Sequence, residues 1–141
     1  MEKETDIKVI AEKMKEYLES KFKYYMDIFL RMIVINTFTE NVDGINFAGD
    51  FISKIFRNYS FDVQKIQSVN QKFGRHLVFS KKGTTDFKIA CVSHLDTVYT
   101  FDEEQKNDFT WRVKDDKIYG PGTIDIKGGS MVMMMMLDAL N

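Results

Sequence analysis

The chain has 141 residues, with 20 Lys and Arg, 21 Asp and Glu, a formal charge of -1 and one Cys. This length fits one domain or part of one, and an apolar content of 44% supplies enough side-chain mass for a core. The balanced charge excludes the basic surface of a dedicated nucleic-acid-binding protein. The single Cys excludes a disulfide framework and a zinc ribbon. Since only two His are present, any metal site has to be built mainly from carboxylates or from ligands outside the chain.

No segment is predicted to span a membrane. The most continuous apolar stretch near the start, residues 26–35, is short and is interrupted by Asp27 and Arg31. The first ten residues mix acids and bases and lack the pattern of a secretory signal. The sequence therefore predicts a cytoplasmic protein that binds neither membranes nor nucleic acid.

Hydrophobic periodicity predicts helices near both ends of the chain. Apolar residues at three- and four-residue steps predict one amphipathic helix over residues 7–33, and a second helical pattern follows Asp43 and Gly44. A last, buried helix is predicted over residues 128–137, which include a run of Met. The strands predicted from alternation and turn residues are 60–65, 76–79, 111–113 and 117–119, of which the last two form a hairpin.

Residues 87–92 are nearly all apolar, which predicts a central strand buried on both faces. His94 and Asp96 follow this strand directly, and residues two apart on an extended chain point the same way. Ligands bind at the carboxyl ends of strands in open α/β sheets, and an imidazole beside a carboxylate is a common pairing at zinc sites. The H-x-D tripeptide is frequent, and by itself it favours a capping or surface role over a metal site.

A glycine-rich segment at 120–129 surrounds Asp125. So many Gly and Pro residues indicate an irregular backbone that approaches another group closely. The alternatives are a structural loop and a phosphate-binding loop at a helix start. Phosphate binding is the less favoured of the two, because the spacing matches no nucleotide-binding motif and the central acid would repel phosphate.

Together, the two clusters resemble the start of the catalytic domain of the M20 metallopeptidase family. The order is an apolar strand, S-H-L-D-T-V-Y at 93–99, a hairpin, Y-G-P-G-T-I-D-I-K-G-G at 119–129 and an apolar helix. The family includes glutamate carboxypeptidases, acetylornithine deacetylase and succinyl-diaminopimelate desuccinylase. The resemblance implies a three-layer α/β zinc-peptidase-like catalytic domain with a mixed sheet. Residues 1–141 would be its N-terminal portion, truncated at the C-terminus and without the dimerisation domain.

The resemblance also implies a role for each motif residue. His94 would be a ligand of one of two zinc ions, with cobalt or manganese as alternatives, and Asp125 would bridge both ions. Asp96 would be the catalytic residue that orients the His94 imidazole. A cis peptide bond would follow Asp125, and Gly128 and Gly129 would let the next helix begin close to the site. Lys127 lies beside the site and could contact a substrate carboxylate. A solvated or structural Lys is the favoured alternative.

The function implied by the resemblance is zinc-dependent hydrolysis of an amide bond, of the carboxypeptidase or N-deacylase type. The substrate would be a small peptide or an N-acyl amino acid, and the full-length enzyme would be a homodimer. The family's general base, a Glu downstream of the bridging Asp, is absent from this chain, so the 141-residue chain alone is predicted to be inactive. The alternative is a non-catalytic truncated or regulatory fragment that keeps only part of the metal site. A nucleotide-binding module is a more distant alternative.

Overall fold

The computed structural model describes the backbone of residues 2–141 and the side chains of residues 6–141. The helices are α1 (Glu2–Ser20), α2 (Phe22–Val34), α3 (Val42–Asn58), α4 (Phe101–Lys106) and α5 (Lys127–Ala139). The strands are β1 (Asp62–Ile66), β2 (His76–Ser80), β3 (Arg112–Lys114) and β4 (Lys117–Tyr119). This mixture of helices and strands confirms the predicted α/β class. Among the described residues, no helix combines the length and the apolar content that a membrane span requires.

The predicted N-terminal helix is divided at Lys21 into α1 and α2. Both helices contact α5. The break brings Tyr17, Lys21 and Tyr25 within hydrogen-bonding distance of Asp138 on α5. The apolar periodicity runs through the break without a signal, so the sequence predicted one helix where the structure has two.

The core lies between α2, α3 and α5. It forms because each helix places apolar residues at three- and four-residue spacing on one face. In α5 this face contains Met131 and Met134, which are both 2% exposed, whereas Val132 is exposed. The Met-rich helix is therefore buried on one face only. The buried cluster consists of Tyr25, Ile28, Phe29, Met32, Ile33, Ile52, Ile55, Phe56, Tyr59, Met131 and Met134.

The predicted strands near residues 60 and 76 are confirmed as an antiparallel hairpin. Its register runs from Asp62 opposite Ser80 to Ile66 opposite His76. The hairpin packs on α3 through Phe79, whose ring stacks on that of Phe56 with centroids 4.2 Å apart. Such an aromatic contact adds to the free energy gained from burying the two rings.

The second predicted hairpin is also confirmed, as β3 paired with β4. Its turn residues, Asp115 and Asp116, have φ of 51° and 58°, which is typical of the tight turns that join twisted strands. Trp111, next to β3, meets the ring of Phe29 edge-on at 5.5 Å. The hairpin therefore delivers the glycine-rich segment after β4 to the end of α2.

The prediction of a central strand at 87–92 is wrong for this chain. These residues form no strand, and Phe87, Ile89 and Val92 are 79%, 72% and 90% exposed. A strand needs a neighbouring backbone for hydrogen bonds, and the four strands between residues 2 and 141 pair only within their own hairpins. The three-layer arrangement with a mixed sheet is accordingly not formed by the described residues. They contain two separate two-stranded antiparallel sheets, with a single parallel bridge between Phe38 and Thr97.

Candidate metal centre

The segment that carries His94 and Asp96 is held by the chain that follows α2. The Thr97 amide donates to the Thr37 carbonyl at 2.8 Å, and the Thr39 amide donates to the Thr97 carbonyl at 3.1 Å. These bonds form the parallel bridge at Phe38. The end of the H-x-D motif is thus fixed by backbone pairing although residues 87–92 form no strand.

Asp125 lies in the loop between β4 and α5. This loop is closed by the Lys127 amide, which donates to the Gly122 carbonyl at 2.9 Å. Gly122 has a φ of 78°, and a Cβ at this position would lie 2.9 Å from the Thr97 methyl carbon. Only Gly satisfies both the backbone angle and this close approach. The peptide bond between Asp125 and Ile126 is cis, as the family resemblance implies.

The two loops bring His94 and Asp125 together, as predicted. His94 Nε2 lies 3.5 Å from Asp125 Oδ1. On the other side of the ring, His94 Nδ1 lies 3.1 Å from Asp96 Oδ1 and 3.0 Å from the Asp96 carbonyl oxygen. Both partners are acceptors, which favours the tautomer with the proton on Nδ1 and leaves Nε2 available to a metal ion on the Asp125 side.

This arrangement fits a zinc ion. Zinc binds imidazole nitrogen and carboxylate oxygen at about 2.0–2.2 Å, so two ligands of one tetrahedral ion lie about 3.4 Å apart. The observed separation of Nε2 and Oδ1 is 3.5 Å. Among the described residues, no group of three or more His, Cys, Asp or Glu side chains converges, so these residues offer fewer ligands than the four that a zinc ion usually takes.

The site is open to solvent. The side chains of His94 and Asp125 are 48% and 74% exposed, and a cleft of about 200 Å³ lies beside Asp125. A larger groove of about 420 Å³ lies between α1, α2 and α5 but is lined mainly by apolar side chains. The cleft beside Asp125 therefore combines polar groups with access to solvent. Its lining residues are Thr97, Val98, Tyr99, Gly120, Gly122, Thr123, Ile124 and Asp125.

Lys127 is buried and has a structural role. It is 3% exposed, and its Nζ donates to the Ile35 carbonyl at 2.9 Å. Burial lowers the pKa of Lys127 to about 8, and the charge of Glu104 acts in the opposite direction. The hydrogen bond ties the start of α5 to the end of α2, which supports the loop that carries Asp125. A Lys within a glycine-rich segment gives no sequence signal for such burial.

Two contacts around the motif have no signal in the sequence. Thr39 Oγ1 donates to Asp96 Oδ2 at 2.7 Å, and the hydroxyls of Ser93 and Ser130 lie 2.5 Å apart. The second contact joins the residue before His94 to the first turn of α5. Neither pair is close in sequence, so no local pattern predicts it.

Two comparisons with known proteins agree with this geometry. A family model described as Peptidase family M20/M25/M40 matches residues 90–141, a range that contains His94, Asp96 and Asp125. The chain is also 36% identical over 110 residues to Carboxypeptidase G2 of Pseudomonas sp. (strain RS-16). That match covers 78% of this chain and 26% of the relative, so the chain spans about a quarter of the relative's length. From the two matches together, the chain is related to the M20 metallopeptidases, and its residues 90–141 carry the part that the family model matches.

Proposed function

We propose that residues 1–141 form the N-terminal portion of the catalytic domain of a zinc-dependent amide-bond hydrolase. The observation that carries this proposal is the 3.5 Å approach of His94 Nε2 to Asp125 Oδ1, in a chain related to a carboxypeptidase. Cobalt or manganese would fit the same nitrogen and oxygen ligands. By analogy with the family, the substrate is a small peptide or an N-acyl amino acid, and the whole enzyme is a cytoplasmic homodimer.

Three residues of this chain would have different roles at the site. His94 would hold the metal through Nε2, and Asp125 would hold it through its carboxylate. Asp96 keeps the proton on Nδ1 of His94, because both its carboxylate and its carbonyl face that nitrogen. A bound zinc ion supplies Lewis acidity and lowers the pKa of its water. The open cleft beside Asp125 would admit the scissile carbonyl.

We expect the 141-residue chain to bind one zinc or cobalt ion, and His94→Ala to weaken this binding by about tenfold or more, as loss of a ligand should. The measurement is a competition titration with a chelating dye, supported by the visible absorption of the cobalt form. His76→Ala is the matched control, because His76 is exposed and lies at the start of β2, outside the two motifs. Equal affinities for the wild type and His94→Ala would contradict the proposed metal centre.

We expect the zinc-loaded 141-residue chain to show no turnover of C-terminal peptide or N-acyl amino acid substrates. Residues 126–141 contain no Glu, and a general base typically contributes a factor of about 10²–10⁴ to the rate. The measurement is amine release followed over hours with and without added zinc. Turnover that is abolished both by a chelator and by His94→Ala would show that this chain is catalytically complete.

The rival function is a non-catalytic fragment. It is favoured by the absence of a three-ligand group among the described residues. The zinc titration separates the two proposals, because a non-catalytic fragment without a metal role would bind zinc no more tightly than its His94→Ala variant.

A further inference from the structure

We infer that Thr39 is a positioning residue of the candidate metal centre, acting on His94 through Asp96; this inference rests on the proposed function. Thr39 Oγ1 donates to Asp96 Oδ2 at 2.7 Å. The same hydroxyl lies 3.3 Å from the Thr97 carbonyl. Because a hydroxyl has one proton and bonds to ionised acceptors are shorter and stronger, the proton belongs to the Asp96 contact.

The Asp96 carboxylate is held at both of its oxygens. Oδ2 accepts from Thr39, and Oδ1 faces His94 Nδ1 at 3.1 Å. The terminal torsion of an Asp side chain has a broad energy profile, so the rotamer alone does not fix the carboxylate plane. The Thr39 hydroxyl therefore selects the rotation in which Oδ1 points at the imidazole.

Thr39 is itself held rigidly enough to do this. Its amide donates to the Thr97 carbonyl at 3.1 Å, next to the parallel bridge at Phe38. The backbone of Thr39 is thus paired with that of Thr97, the residue after Asp96, and this pairing fixes the position of the Thr39 hydroxyl. A donor fixed in this way orients its acceptor at little further cost in conformational entropy.

Thr37, two residues earlier, does not share this role. It is fully buried, and its hydroxyl lies 3.5 Å from that of Thr97, with no contact to Asp96. The two threonines thus form a matched pair. Thr37→Val and Thr39→Val each remove one hydroxyl from the same short segment. Only Thr39→Val removes a hydrogen bond to Asp96.

The expected consequence of losing the Thr39 hydroxyl is a less ordered imidazole. With Oδ2 released, the Asp96 carboxylate rotates more freely, so Nδ1 keeps only the Asp96 carbonyl oxygen at 3.0 Å as a fixed acceptor and the preference for a proton on Nδ1 is weakened. Groups that orient a ligating histidine typically contribute 10- to 100-fold to metal affinity. We therefore expect Thr39→Val to weaken zinc binding by about tenfold, and Thr39→Ser, which keeps a hydroxyl, to retain most of the affinity.

The experiment compares the wild type, Thr39→Val, Thr39→Ser and Thr37→Val in the 141-residue chain. One readout is zinc affinity by chelator competition. The other is the tautomer of the His94 ring in the metal-free chain, read from ¹⁵N chemical shifts at about pH 8, where a histidine is ordinarily neutral. We expect Thr39→Val to lower the affinity and the fraction of the Nδ1-protonated tautomer, and the other two variants to resemble the wild type.

The inference is overturned if Thr39→Val leaves the tautomer unchanged, or if Thr37→Val shifts it equally. Urea unfolding of both Val variants accounts for any general loss of stability, since a purely structural effect would lower stability without moving the tautomer equilibrium. The tautomer readout also separates this inference from the proposed function. If the wild type binds no zinc, the proposed function fails, while the metal-free tautomer still reports on Thr39.

Discussion

Gly128→Ala is expected to lower the free energy of unfolding by about 3 kcal/mol, whereas Gly129→Ala is expected to raise it by up to about 1 kcal/mol. A Cβ on Gly128 would lie 2.2 Å from the Thr123 carbonyl oxygen. This oxygen belongs to the backbone of the loop that carries Asp125, so the clash is relieved only by moving the loop. A Cβ on Gly129 would lie 3.4 Å from a side-chain carbon of Ile126, an ordinary contact, and Ala favours the helix.

Urea unfolding of the two variants, followed by circular dichroism, measures this difference. Zinc titration is the second readout, because displacing the loop moves Asp125 away from His94, and we expect only Gly128→Ala to weaken binding. If the two variants changed stability in the same direction and by the same amount, the contact between Gly128 and the Thr123 carbonyl oxygen would not require a glycine at position 128.

The elements that were predicted correctly depend on local patterns. Helix α3 carries its own start signal, since the Asn41 side chain accepts from the Gly44 amide at 3.0 Å, and the β3–β4 hairpin is specified by its Asp-Asp turn. One local signal was missed. Helix α4 begins with a capping box in which Thr100 and Glu103 bind each other's backbone amides, and the T-x-x-E spacing is visible in the sequence.

The errors and omissions depend on contacts between distant residues. Residues 87–92 have the composition of a central strand, but strand formation requires a partner strand, and composition does not reveal whether one is present. The same holds for Lys127, whose burial depends on the Ile35 carbonyl. The approach of His94 to Asp125 was predicted because the motif resemblance carries long-range information that periodicity lacks.

Asp138→Ala is the other substitution for which we expect a large loss of stability, about 3 kcal/mol. The Asp138 side chain is 3% exposed and accepts from Tyr25 at 2.7 Å, Lys21 at 3.0 Å and Tyr17 at 3.1 Å. Removing the carboxylate leaves the Tyr25 hydroxyl, on a residue that is 0% exposed, without its acceptor. Burial is the largest cause of the raised pKa of Tyr25 and remains in the variant, so this hydroxyl stays protonated and, without an acceptor, destabilises the folded chain.

The pH dependence of this network has a definite sign. Burial raises the pKa of Asp138. Hydrogen bonds from Tyr25, Lys21 and Tyr17 together lower it by more than burial raises it, so the pKa lies below its ordinary value of 3.8. The unfolded chain then binds the proton more readily than the folded chain near pH 4. The stabilisation is present above about pH 4 and is lost as the pH falls through the folded-state pKa.

We therefore expect the stability difference between the wild type and Asp138→Ala to be constant near neutral pH and to shrink as the pH falls below about 4. Urea unfolding at a series of pH values measures it, with Asp86→Ala as the control, since Asp86 is exposed and a surface substitution typically changes stability by less than about 0.5 kcal/mol. A difference that stayed constant down to about pH 2 would mean that folding does not shift the pKa of Asp138. A difference that increased as the pH fell would mean that Asp138 is a neutral acid in the folded chain. The junction of α1, α2 and α5 would then not depend on a buried carboxylate.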